Sequence, residues 1–130
     1  MVLLTFAFFC FALTGASLSR EIPEGITESF KKGDSRELAR HFNKNIELVL
    51  LGNEDVYSKS QAELILRNFF LENKPVKFDL LHHGGKKSSR YAIGNLQTEN
   101  GDFRIYFLLR VIEDTPLIQL LRVEVKEEPS

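Results

Sequence analysis

Two adjacent histidines, His82 and His83, are the side chains best suited to proton transfer or ligand anchoring in this chain of 130 residues. They follow the alternating run Val76, Phe78, Leu80, so on a strand His82 is expected to face the interior and His83 the outside. Imidazoles on opposite faces cannot share one metal ion, and no third ligand lies nearby. His82 therefore has two readings, a pocket group or a histidine hydrogen-bonded at the rim of a core. Tyr57 either lines the mouth of a pocket or packs as a hydrophobic staple ahead of Ser58. Gln119, a neutral amide in an apolar run, either satisfies backbone at a bulge or meets a ligand. Asp79 alternates away from Phe78 and Leu80 and is expected to point outward. Gly84-Gly85 reads as a bulge or wide turn, because a phosphate loop needs a helix directly after it.

Composition narrows the chemistry further. From Val2 to Leu13 the chain is apolar except at Thr5, and it runs into Leu13-Thr14-Gly15-Ala16. Residues 1–16 thus read as a secretory signal, too short for the ~20 residues that span a bilayer. The expected address is periplasmic or extracellular, with no membrane attachment after cleavage. Cys10, the only cysteine, lies inside this segment, so the domain at residues 17–126 has no disulfide, thiol nucleophile or thiolate metal site. Residues 127–130 are expected to be a disordered tail. Lys and Arg number 17 against 18 Asp and Glu, and neither Lys31-Lys32 nor Lys86-Lys87 is interleaved with aromatics, so nucleic acid is not an expected partner. No metal or cofactor is expected.

The elements that position these residues are signalled by caps and turns. Ile22, Ile26 and Phe30 form a helical stripe that Gly33 ends, and Asp34 with Glu37 opens a second short helix facing Leu38, Ala39 and Phe42 inward. Ile46–Leu51 reads as a strand that Gly52-Asn53-Glu54-Asp55 breaks. Ser58 and Gln61 form a capping box for the longest helix, with Ala62, Ile65, Phe69 and Phe70 as its buried stripe and Asn73 and Pro75 as its stop.

From Val76 the period becomes two. A type I′ turn at Asn100-Gly101 would pair Leu96 with Ile105, Gly94 with Phe107 and Ile93 with Leu108. At Glu113-Asp114-Thr115 a three-residue loop pairs Phe107 with Leu121 and Leu108 with Leu120, whereas a two-residue loop would lay Arg122 against Phe107, at a cost of several kcal/mol. The three-residue register gives an inner face of Leu96, Phe103, Ile105, Phe107, Leu109, Leu121 and Val123, with Gln119 as its polar exception. The outer face then carries Ile93, Tyr106, Leu108, Ile118 and Leu120 among Arg104, Arg110, Arg122 and Glu124.

The expected order, α-α-β-α-β-β-β-β, describes an α+β cone in which three helices pack on the concave face of a curved antiparallel sheet. It resembles the nuclear transport factor 2-like, or cystatin-like, superfamily. Ile22-Pro23-Glu24-Gly25-Ile26, Val56-Tyr57-Ser58-Lys59-Ser60-Gln61-Ala62, Asn68-Phe69-Phe70, Tyr91-Ala92-Ile93-Gly94 and Phe103-Arg104-Ile105-Tyr106 are similar to domain-of-unknown-function family 4783. The resemblance implies a small exported Bacteroidetes protein and no particular activity. Ketosteroid-isomerase-like cones need a carboxylate base and an opposing acid in the pocket, and the inner positions here are almost all hydrocarbon. Two functions stay open. One is a non-enzymatic domain that binds another exported protein or forms a homodimer through Ile93, Tyr106, Leu108, Ile118 and Leu120. The other is a small-molecule binder or cone-fold enzyme, taking a small apolar ligand against Tyr57, His82 and Gln119.

Overall fold

Helix α1, Glu24–Lys32, buries Ile26, Ser29 and Phe30 and ends where Gly33 adopts φ 66°. The computed structural model describes residues 22–127; the expected signal segment and residues 128–130 lie outside them. Helix α2, Ser35–Ala39, is capped by the Asp34 carboxylate, which accepts from the Glu37 N–H at 3.0 Å. Phe42, expected on that helix, instead begins strand β1, Phe42–Leu50, and points into the core from there. The segment expected to be a break is a strand as well. Leu51 and Gly52 take φ 49° and 89°, the mirror-image turn that suits a two-residue hairpin, and β2 runs Asn53–Ser58 antiparallel to β1. Its Glu54 and Asp55 have low strand propensity, which hid it from pattern reading.

Helix α3, Lys59–Glu72, opens on the expected capping box: Ser58 Oγ accepts from the Gln61 N–H and the Gln61 amide oxygen accepts from the Ser58 N–H. Its buried stripe is Ala62, Leu66, Phe69 and Phe70, with Ile65 partly covered beside it. Strands β3 (Pro75–Gly85), β4 (Ser89–Thr98), β5 (Gly101–Ile112) and β6 (Thr115–Val125) follow as an antiparallel meander. The six-stranded sheet runs β2-β1-β6-β5-β4-β3, and β1 lies parallel to β6, so the sheet is mixed rather than wholly antiparallel. The order is therefore α-α-β-β-α-β-β-β-β. The α+β cone with helices on the concave side stands, enlarged by β2.

Both hairpin registers keep the expected faces by other means. At the β4–β5 turn Thr98 pairs with Gly101, so Leu96 meets Phe103 and Gly94 meets Ile105, two residues from the expected partners. Gly101 takes the positive φ of 120°, while Thr98 Oγ donates to its carbonyl at 2.7 Å and the Asn100 amide donates to the Glu72 carbonyl at the end of α3. A shift of two preserves side-chain direction. At the β5–β6 turn Glu113 and Asp114, at φ 49° and 65°, make the two-residue loop that seemed excluded; a bulge at Gln119 then restores Leu108–Leu120 and Phe107–Leu121. Leu96, Phe103, Ile105, Phe107, Leu109, Leu121 and Val123 are all buried, as the inner face required.

Candidate functional site

The concave side is filled by aromatic rings. Phe30 of α1 stacks on Phe78 at 4.9 Å between centroids and on Phe107 at 6.2 Å, and meets Phe70 edge-on at 6.3 Å. Phe69 of α3 stands edge-on to Phe103 at 5.0 Å. These rings occupy the space between helices and sheet where a hollow cone holds its ligand.

Of the three expected pocket residues, Tyr57 lines a groove. Leu81 is an extra residue in β3, because Leu80 pairs with Gly94 while His82 pairs with Ile93. That bulge reverses the alternation, so His82 lies on the convex face and His83, opposite Ala92, takes the concave side of the edge strand, the reverse of expectation. Gln119 is the bulged residue of β6, and its amide oxygen accepts from the Asn43 side-chain Nδ2 at 2.8 Å, so the partner it satisfies is a side chain of β1 and not backbone. Tyr57 pairs with Ile46, packs against the core, and lines an open groove of about 450 Å³ with Leu48, Leu50, Ile65, Asn53 and Asp55.

The convex face can be mapped row by row from the strand pairings. One row reads Tyr91, Leu108, Leu120, Glu47 and Val56 across β4, β5, β6, β1 and β2. The next reads His82, Ile93, Tyr106, Arg122, Val49 and Glu54 from β3 to β2. A third carries Asp79, Asn95, Arg104 and Glu124 from β3 to β6, placing Asp79 outward as expected. Leu108, Leu120, Ile93 and Tyr106 are half-buried, and Val49 is buried. Ile118 is not on this face. The Gln119 bulge turns it inward, where it is 0% exposed opposite Leu109 and Phe42, so it drops out of the interface set.

Pattern reading missed the aromatic string that joins the rows. His82 Nε2 and Tyr91 Oη share a hydrogen bond at 3.0 Å, and the Tyr91 ring stacks on Tyr106 with centroids 6.4 Å apart. It missed the charges of β1 and β2 too, because β2 was not assigned. A hydrogen bond and repulsion from Glu54 push the Glu47 carboxyl above its usual range, against a partial offset from Arg122. Arg104 and Arg110 stand on β5, and Arg122 pairs with Glu124 at 3.6 Å on β6. Among the described residues no cluster of three or more His, Cys, Asp or Glu is placed to hold a metal ion, and no helix is long and apolar enough to cross a membrane.

A six-stranded curved sheet with three helices on its concave side places the protein among nuclear transport factor 2-like, cystatin-like α+β folds. A protein of unknown function from Silicibacter pomeroyi, described as NTF-2 like, shares it at a TM-score of 0.63 with 14% identity, covering 85% of this chain and 94% of that one. The chain belongs to the family Domain of unknown function (DUF4783), which it matches over residues 23–124. A DUF4783 protein from Bacteroides ovatus is 33% identical, with a TM-score of 0.80 over 83% of this chain and 98% of its own. One from Bacteroides fragilis is 36% identical, with a TM-score of 0.77 over 81% of this chain and 99% of its own. No curated protein matches the chain.

Proposed function

We propose that this protein is a non-enzymatic interaction domain that self-associates through the convex face of its sheet. The observation that carries the reading is the contiguous strip of Tyr91, Leu108 and Leu120 beside Ile93, Tyr106 and Val49, on the face opposite the helices. Aromatic and aliphatic side chains edged by arginine are the composition of interface centres. The rings stacked between α1, α3 and β3 to β5 support the same reading, since that part of the concave side is given over to packing. The apolar run Val2–Leu13 leading into Thr14-Gly15-Ala16 supports an exported protein, with Ser17 as the first mature residue.

The test is the mass of the native protein. Leu108→Glu with Leu120→Glu should convert a dimer to a folded monomer by light scattering, with unchanged far-ultraviolet circular dichroism. A dimer that survives both substitutions refutes the reading. The groove at Tyr57 favours a second reading, a small ligand with an apolar body lying on Leu48, Leu50 and Ile65. Native mass spectrometry after purification from the host would show added mass on the wild type and none on Tyr57→Ala; a bare wild-type chain sinks that alternative.

A further inference from the structure

The groove beside Tyr57 has two walls of opposite character. Strand β2 turns Asn53, Asp55 and Tyr57, alternate residues opposite Leu50, Leu48 and Ile46, to the concave side of the sheet. Their amide, carboxylate and phenol make one wall polar. Leu48 and Leu50 of β1 and Ile65 of α3 make the other apolar. We propose that this groove binds a small organic cation, an apolar body ending in an ammonium group, with the body on Leu48, Leu50 and Ile65 and the ammonium at Asp55. The inference rests on the groove reading given above and adds the charge of the ligand; it is independent of self-association, which uses the opposite face of the sheet.

Three observations support the assignment. The first is place. The lining residues belong to β1, β2, the turn between them and α3, and none of the stacked phenylalanines is among them. On α3, Phe70 turns to Phe30 of α1 and Phe69 to Phe103 of β5, whereas Ile65, one turn before Phe69, reaches the hairpin. The groove therefore runs along the flank of α3, outside the stack of rings.

The second is charge. Glu54 and Asp55 both line the groove, but the Glu54 side chain alternates to the convex face, where it meets Glu47, and leaves Asp55 as the charged group on the polar wall. No Lys, Arg or His lines the groove. Asp55 Oδ1 accepts the Val56 N–H at 2.8 Å, and the carboxylate makes no ion pair among the described residues. An anionic ligand would face that carboxylate with no cation to offset it, whereas an ammonium would gain charge-assisted hydrogen bonds. The Asn53 amide and the Tyr57 phenol add acceptor oxygens on either side of it. The third is size. A groove of about 450 Å³ falls within the range of small-molecule sites, roughly 300–1,000 Å³, and joins an apolar floor to a few polar groups, as such sites do.

Octylammonium, octanoate and octanol share one apolar body and differ in the charge of the head, so they separate the two walls. Titrated calorimetrically into the wild-type protein, octylammonium should bind about tenfold more tightly than octanoate, with octanol between them. Asp55→Asn should weaken octylammonium by about fivefold and leave octanol unchanged, because only the charged contact is lost. Asn53→Asp places a second carboxylate on the same wall and should tighten octylammonium, a gain that a damaged fold would not produce. Both positions are exposed on an edge strand, and far-ultraviolet circular dichroism should match wild type in each variant. Octanoate bound as tightly as octylammonium, or an Asp55→Asn protein with full octylammonium affinity, overturns the cation assignment, while octanol binding that is lost in Ile65→Glu keeps the groove reading. A wild type that binds none of the probes overturns both.

Discussion

Gly94→Ala puts the solid-core description to a quantitative test. Gly94 lies in β4 opposite Ile105, and a Cβ built there would come within 2.5 Å of Phe78 Cε1 and 3.1 Å of the Asp79 carbonyl oxygen. Backbone cannot yield cheaply, so the Phe78 ring must move. It is stacked on Phe30 at 4.9 Å, and Phe30 is held in turn by Phe70 and Phe107, which leaves no open side for the ring to enter. Forcing an extra methyl into such packing costs ~1–3 kcal/mol, and loosening the Phe30–Phe78 stack adds about 0.5–1.5 kcal/mol. We expect a loss of about 2–3 kcal/mol in urea unfolding, or roughly 8–20 °C in Tm for a domain of this size. Phe78→Leu shortens the side chain that the methyl strikes. The double variant should therefore lose less than the sum of the two single losses, by about 1 kcal/mol or more. A Gly94→Ala protein as stable as wild type, or strictly additive losses, would mean that the cone holds free space beside Phe78 and that the argument against an internal pocket fails.

Two further outcomes follow from polar groups that the fold has set in place. His41 follows α2, its Nε2 is buried without a hydrogen-bond partner, and burial holds its pKa below the ordinary 6.5 despite the nearby Glu37 carboxylate. The folded state thus prefers the neutral ring, and this contribution to stability is complete above pH 6.5 and declines as pH falls through 6.5 toward the folded pKa. Urea midpoints at pH 7.5 and 5.5 should differ less in His41→Gln than in wild type; equal differences would remove His41 as the source. Gln119→Leu strands the Asn43 amide where β1 diverges from β6, and should cost about 1–2 kcal/mol, partly recovered by Asn43→Leu in the double variant. Unchanged stability in Gln119→Leu would show that the bond at 2.8 Å contributes nothing net.

Where the chain obeys a fixed period, the pattern of residues was enough. The caps at Ser58 and Asp34, the left-handed Gly33 and all seven inner-face positions of β4, β5 and β6 follow from side-chain type and spacing alone. The misplaced site residues His82 and Ile118 share one cause. Alternation is blind to a single extra residue, and Leu81 and Gln119 are both bulges. The first carried His82 out of the expected pocket and into the aromatic string on the convex face; the second carried Ile118 from that face into the core. Strand β2 escaped notice for a different reason. Its Glu54 and Asp55 tolerate strand geometry because β2 is an edge with mostly exposed side chains, where no buried face imposes a pattern.

The parallel pairing of β1 with β6 also orders events in time. Strands β3 to β6 join through short turns, and hairpins of that kind close in about 1–10 μs. Beyond its hairpin with β2, strand β1 joins the sheet only beside residues 118–123, at the far end of the chain, and such distant pairings are slow to form. A chain emerging from its N-terminus presents α1, α2 and the β1–β2 hairpin long before the strand they must join exists. The β1–β2 half of the convex face is therefore the last part of the sheet to be set in place. In a chain truncated before β6 that half has no sheet to complete, so the convex face exists as one surface only once synthesis and folding are both finished.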